Sequence, residues 1–163
     1  MKRELEEKLA KEFEFMHRGK NYDEQMVSDG FVADLYGAYG CEHGDGWYEL
    51  LRGLCLEITE AYQKHGQPID IVVNQVKEKF GTLRFYYHFD DNPQSIHAMD
   101  FMGTGSVRFE PGSTDLHKEI ASIVRKYEEK SDCVCEKCGE PGFLRKNLHV
   151  ATLCDSCYGG THE

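Results

Sequence analysis

The chain has no long apolar run. None approaches the stretch of about eighteen apolar residues that a membrane helix requires. The opening segment, MKRELEEKLAKEFEF, is too charged for the apolar core of a signal peptide, so the expectation is a protein that stays in the cytoplasm where it is made. Positive charge is scarce as well: 19 Lys and Arg stand against 29 Asp and Glu, a formal net charge of −10. A protein that grips a nucleic-acid backbone broadly needs a basic footprint, so any such site here has to be a local patch. A Ser-His-Asp order, a P-loop and a dinucleotide fingerprint are all missing, and there is no internal repeat or low-complexity tract.

What is present suits a globular protein. The 163 residues fit one domain, or one with a small appendage, and 40% apolar with 29% charged residues argues against disorder throughout. Seven cysteines, four of them in Cys-x-x-Cys pairs, indicate metal ligation under reducing conditions rather than a disulfide framework.

Periodicity divides the chain. Leu5, Leu9, Phe13 and Met16 share one face of a helix expected over about 2–18. Residues 19–45 read as irregular, and Asp45 is the expected N-cap of a second helix, about 47–64, with Trp47, Leu51, Leu54, Ile58 and Ala61 as its stripe. Gly66 and Pro68 end it. The period then falls to two: β-branched residues from Ile69, a Lys79-Phe-Gly-Thr82 turn, and alternating Leu83, Phe85, Tyr87 and Phe89 predict a β-hairpin over about 69–89. Two strands alone are marginal in water, so the hairpin must lie on the second helix or gain a third strand. Residues 90–112 form a long loop in which only Ser106–Glu110 reads as a strand. A third helix, about 114–130, follows a Ser113 or Thr114 cap and buries Leu116, Ile120, Ile123, Val124 and Tyr127.

The C-terminal segment carries the sharpest signal. Cys135-Glu-Lys-Cys138-Gly139 and Cys154-Asp-Ser-Cys157 have the spacing of a two-knuckle zinc site. Each Cys-x-x-Cys turn offers two thiolates to one ion, and Gly139 suits the positive φ that such a turn needs. Four thiolates leave no open coordination position, so one structural Zn2+ is expected. Phe143–Arg145 and Leu148–Leu153 can pair as the hairpin that returns the chain to the metal. Cys133 reads as a bystander, and Cys41 and Cys55 as buried small residues. The ribbon is acidic: Asp132, Glu136, Glu140, Asp155 and Glu163 oppose Lys137, Arg145 and Lys146, which suits a folding clip better than a phosphate clamp.

One stretch is locally basic. Lys77, Lys79 and Arg84 outnumber Glu78, with Tyr86 and other aromatics interleaved, and such a mixture can take phosphate on its charges and a base on its rings. The bland alternative is a solvated turn above a core row. Cys41, Glu42, His43 and Asp45, and separately His88 with Asp90, are loose candidates for a second metal or a general base, the reading a metal-dependent hydrolase would need.

Gly44-Asp-Gly-Trp47-Tyr-Glu-Leu-Leu51, Val76-Lys-Glu-Lys-Phe-Gly-Thr-Leu-Arg-Phe-Tyr86, Cys135-Glu-Lys-Cys-Gly-Glu-Pro-Gly-Phe-Leu-Arg145 and Thr152-Leu-Cys-Asp155 together resemble small uncharacterised zinc-ribbon proteins of tailed phages and prophages. In those relatives the second knuckle often ends in His; here Cys157 stands there, which changes the ligand type and not the ligand count. The resemblance implies a phage or prophage setting and with it the host cytoplasm; that the protein inhibits or sequesters a host component is an expectation by analogy with phage accessory proteins of this size. The expected fold is α+β, with three helices and a hairpin in a body of residues 1–130 and a four-cysteine zinc ribbon over 131–163. The expected function is non-enzymatic capture of a host protein or a phosphorylated small molecule, with nucleic-acid binding by the 77–86 hairpin as the alternative.

Overall fold

The computed structural model describes residues 1–18, 35–90, 98–101, 105–108, 114–146 and 150–159. The fold is mixed α+β, and among the described residues it has more helices than the three expected. They are α1 (Arg3–Glu12), α2 (Leu35–Tyr39), α3 (Tyr48–His65), α4 (Asp115–Ser131) and α5 (Asp155–Gly159), with single 3-10 turns at Glu14–Met16 and Asp45–Trp47. No helix among these residues is long and apolar enough to cross a membrane.

The first helix is shorter than its sequence pattern suggested. It stops at Glu12, Phe13 turns to extended backbone, and a 3-10 turn follows. The reason lies in the spacing of Phe13, Phe15 and Met16, three apolar residues within four positions. One helical face cannot hold all three, whereas the break buries them all. Of residues 19–45, which the sequence left irregular, α2 and the two-residue strand β1 (Cys41–Glu42) are described, and 19–34 lie outside the described residues.

The hairpin forms as expected, from β2 (Ile71–Lys79) and β3 (Thr82–Phe89). Phe80 and Gly81, at φ 55° and 83°, make the two-residue turn of left-handed residues that matches strand twist. Residue parity fails midway along β2, because Ile71 and Val73 share a phase that Val76 does not. A bulge between Val73 and Gln75 restores it, so Ile71, Val73 and Val76 all face the core opposite Phe89, Tyr87 and Phe85. The hairpin gains a third strand by parallel pairing of β1 with β2, Cys41 opposite Val76 and Glu42 opposite Lys77.

The outer edge of β3 is covered by α4 rather than by another strand. The Leu83 amide donates to Ser131 Oγ at 2.8 Å and the Phe85 amide to Glu128 Oε1 at 2.9 Å. Two edge donors that would otherwise invite strand addition are thereby satisfied.

Helix α3 and the turn that leads into it carry the expected stripe, with Trp47, Leu51, Leu54, Ile58 and Ala61 all buried, and Gly66 closes the helix at φ 62°. Its start differs from expectation. Asp45 caps no helix; it accepts the Lys2 amide at 2.7 Å and pairs with the Lys2 ammonium at 3.1 Å, so it ties down the N-terminal segment. Helix α4 has the expected cap, Thr114 Oγ1 accepting the His117 amide at 3.2 Å, and buries the five predicted residues. The two helices run antiparallel, since Glu57 meets Lys126 and Tyr127 while Lys64 and His65 meet Glu119. Gly53 makes room for this packing, because a Cβ there would lie 2.9 Å from the Tyr127 hydroxyl.

Within the long loop, β4 (Ala98–Phe101) and β5 (Gly105–Arg108) form their own two-stranded sheet; the strand expected at 106–110 thus begins one residue earlier and pairs locally. Of the glycine stretch Gly103-Thr-Gly-Ser106, the first two residues lie outside the described residues and the last two open β5. At the C-terminus β6 (Phe143–Lys146) and β7 (Val150–Leu153) pair as the expected ribbon hairpin, Phe143 opposite Leu153.

Candidate metal centre

The first knuckle is built almost entirely from backbone. The Cys135 amide donates to Glu140 O at 2.7 Å and the Gly139 amide to Cys135 O at 2.8 Å, with Gly139 at φ 82°. The Gly142 amide donates back to Cys133 O at 2.9 Å. The ribbon hairpin then brings the chain round: the Glu136 amide donates to Thr152 O at 2.9 Å, which sets Cys154 beside the first pair. The short helix α5 starts immediately after Cys154 and carries Cys157, whose amide points at Cys154 Sγ at 3.4 Å.

All four sulfurs converge. The Sγ atoms of Cys135, Cys138, Cys154 and Cys157 lie within 4.8 Å of one another, with Cys138 and Cys154 at 3.6 Å. Metal–sulfur bonds of about 2.3 Å in a tetrahedron place sulfurs about 3.8 Å apart, so the cluster has the dimensions of a four-thiolate site. Electrostatics agrees. Burial opposes ionisation of Cys135, but the amides of Cys154, Cys138 and Lys137 outweigh it and bring the thiol down to about 7. Cys157, in contact with the sulfurs of Cys138 and Cys154, is pushed up to about 12. One sulfur is therefore prepared as a thiolate, and ionising all four at this separation requires a cation among them.

The remaining cysteines take no part. Cys133 is exposed and its thiol donates to Lys130 O at 3.3 Å. Cys41 and Cys55 are core residues, and burial pushes both thiols up, Cys41 to about 12.

The body grips the knuckle through a glycine loop. The Gly46 amide donates to Glu136 O at 2.8 Å, and the Gly44 amide to Glu136 Oε1 at 2.9 Å. A Cβ on Gly46 would fall 2.3 Å from Cys135 O and 2.6 Å from the Cys138 amide nitrogen. Next in sequence, Trp47 is fully buried and its indole Nε1 donates to Val134 O at 2.8 Å. A second grip comes from the ribbon hairpin: Thr152 is fully buried and its hydroxyl donates to Gly81 O at 2.7 Å, with Leu144 packed where a Gly81 Cβ would be. Sequence reasoning did not find these grips. The glycine pair around Asp45 and the glycine in the hairpin turn were the available signals, but glycine alone does not name what approaches it.

Lys77, Lys79, Arg84 and Tyr86 share the outer face of the hairpin. Lys77 lies opposite Arg84, and its ammonium sits 5.2 Å from the centre of the Tyr86 ring. Tyr86 keeps only 9% exposure, and Arg84 is half-buried with Nη1 donating to Leu83 O. Glu42 reaches the same face, accepting from Gln75 at 2.9 Å. A cavity of about 420 Å³ lies elsewhere, between α1 and the segment that follows it, lined by Arg3, Glu6, Met16, His17 and Arg18 among others.

The residues a hydrolase would need have separate partners. His43 is buried beside Trp47 with Nδ1–H donating to Gly44 O, Asp45 holds Lys2, and His88 Nδ1 meets Asn74 Oδ1 at 3.0 Å. Among the described residues, the four cysteines are the sole group of three or more His, Cys, Asp or Glu side chains with converging donor atoms. No family model matches the chain, and no curated protein or solved structure matches it.

Proposed function

We propose that Cys135, Cys138, Cys154 and Cys157 hold one structural zinc ion, and that the chain is a non-enzymatic binding protein whose zinc ribbon fixes its binding surface. The convergence of four sulfurs within 4.8 Å carries the metal assignment. Four thiolates complete the coordination of zinc and leave no position for a substrate, which makes the ion a clamp. What it clamps is the knuckle seated on Gly44–Trp47 and the ribbon hairpin seated on Gly81. Loss of the ion would therefore loosen a loop and a turn of the body as well as the ribbon. The motif set supports a phage or prophage origin with work in the host cytoplasm, and a host protein or anionic molecule as the bound partner.

Elemental analysis of protein purified under reducing conditions tests the metal: one zinc per chain is expected. Absence of metal, or iron in its place, overturns the assignment. Native mass spectrometry of protein purified from its host tests the binding role, since a retained partner adds mass. Turnover of a substrate with first-order dependence on the zinc would overturn the non-enzymatic reading.

A further inference from the structure

Phe80 is out of place by two independent measures. Among the described residues it is the one non-glycine residue with positive φ, at 55°, a conformation that Asn or Gly adopts with far less strain. Its ring is also 64% exposed, so burial does not offset that strain. The turn that carries it is braced on every side. The Gly81 amide donates to Glu78 Oε1 at 2.5 Å, Thr82 Oγ1 to Lys79 O at 2.9 Å, and Thr152 Oγ1 to Gly81 O at 2.7 Å. An exposed aromatic held in a strained, rigid turn is preorganised for contact with something else.

A second ring stands nearby. Leu144 packs on Gly81, and its chain neighbour Phe143, 64% exposed, lies on the other face of β6, so each side of the Gly81–Leu144 contact is preceded along its chain by an exposed phenylalanine. Each ring has a cation beside it, Lys79 at 5.4 Å from Phe80 and Arg145 at 5.8 Å from Phe143. Residues 77–84 and 143–150 together carry five Lys or Arg against Glu78, which is engaged on Gly81; of these cations Arg145 is paired with Asp155, and Glu42 lies beside Lys77. In a chain of charge −10, the fold has gathered its locally basic hairpin and the basic half of the ribbon at one rim.

We infer that this rim, where the β2–β3 turn meets the ribbon hairpin, binds single-stranded nucleic acid, with bases stacked on Phe80 and Phe143 and phosphates met by Lys77, Lys79 and Lys146. Exposed rings interleaved with cations are what unpaired bases and their backbone require, and such stacking tolerates any base. A duplex offers its phosphates without unstacked bases, and its wider footprint would lie on the acidic surface beyond the rim. An acidic protein would use the cations and leave the two rings without a purpose. The inference rests on the reading of the chain as a zinc-ordered binding protein.

The test is fluorescence anisotropy with a labelled oligo(dT) at low salt, run on zinc-loaded protein against a duplex of the same length and against polyglutamate. Zinc content is measured on the same sample, so failure of the metal assignment is separated from failure of this inference. The single strand is expected to bind in preference to both competitors. Phe80→Asn and Phe143→Ala should each weaken it about tenfold, the usual worth of one stacked base. Lys79→Ala and Lys146→Ala should each flatten the salt dependence by about 0.7 in log–log slope. Phe80→Asn relieves the turn, so it should melt no lower than the parent. No binding of the single strand by zinc-loaded protein overturns the inference, as does equal binding of duplex or polyglutamate. A Phe80→Asn variant that melts lower than the parent, or that binds like it, overturns the role of Phe80.

Discussion

The backbone amide of Gly46 donates to the carbonyl oxygen of Glu136 at 2.8 Å, joining the residue before Trp47 to the residue after the first cysteine of the metal cluster. The two are 90 positions apart in sequence, yet the contact leaves no room for a side chain. The metal knuckle and the start of α3 therefore form one packed unit, and the buried Trp47, bonded to Val134 O, sits beneath it. The same logic repeats at Gly81, where the ribbon hairpin lies on the β2–β3 turn.

Gly46→Ala should be among the most damaging single-methyl changes in the protein. The added carbon would fall 2.3 Å from Cys135 O and 2.4 Å from the Gly139 amide nitrogen, both backbone atoms that cannot swing aside. Overpacking of this kind costs about 1–3 kcal/mol or more. Chemical denaturation and a zinc-affinity titration with a competing chelator should both register the loss. A variant with parental stability and zinc affinity would show that the knuckle is not seated on Gly46.

Zinc removal should be visible from Trp47. Its indole is fully buried and bonded to the chain just before Cys135, so stripping the ion with a strong chelator should change tryptophan emission as well as ribbon structure. Cys138→Ser should reproduce that change, because removing one ligand of four weakens the site. Trp47 is the sole tryptophan, so the signal has one source. Trp47→Ala should cost about 3–5 kcal/mol, the range for truncating a buried large aromatic. An emission spectrum that is unchanged on full zinc loss would separate the ribbon from the body.

Much of this fold was legible because its signals are local. The α3 stripe, the Gly66 stop, the Thr114 cap, the 79–82 turn and the four-cysteine spacing each reside within a few residues. Most of the misses depend on long-range partners. Asp45 looked like a helix cap because nothing in its neighbourhood names Lys2 as its partner. Glu128 and Ser131 lie along the inner stripe of α4, where polar residues were a signal left unused; they complete the edge of β3. The break after Glu12 follows from a crowded apolar cluster that periodicity averaged into a longer helix. Of the basic hairpin residues, the sequence grouped Lys77, Lys79, Arg84 and Tyr86 in one stretch but could not reveal that Tyr86 is covered while Phe80 stands out.

The edge of β3 offers a separate test. Ser131→Ala removes the acceptor for the Leu83 amide, a donor on a fully buried residue. An unsatisfied buried amide costs about 1–3 kcal/mol. Hydrogen exchange at Leu83 should speed up in this variant while the inner amides of β2 keep their protection in proportion to global stability. Unchanged exchange at Leu83 would mean that the amide finds another acceptor.

Acid sensitivity should trace in part to His43. Burial holds its imidazole down at about 4, below the ordinary value of 6.5, and its Nε2 is buried with no hydrogen-bond partner among the described residues. With Nδ1–H donating to Gly44 O, a second proton would put a buried charge on Nε2. Between pH 6.5 and 4 the unfolded chain binds a proton at this residue and the native chain does not, so stability rises with pH across that window. The contribution is complete above about 6.5, falls as pH drops towards 4, and levels off below it. A shift of this size corresponds to a loss on the order of 3 kcal/mol. His43→Phe keeps a ring against Trp47 and removes the titration, at the cost of the bond to Gly44 O. The parent should therefore be the more stable protein at pH 7, and its margin over His43→Phe should shrink or reverse by pH 4. Protonation of the zinc thiolates affects both proteins and cancels in the comparison. Denaturation curves of parent and variant from pH 7 to pH 4 check this, and a margin that stays constant across the range would show that the buried imidazole does not resist its proton.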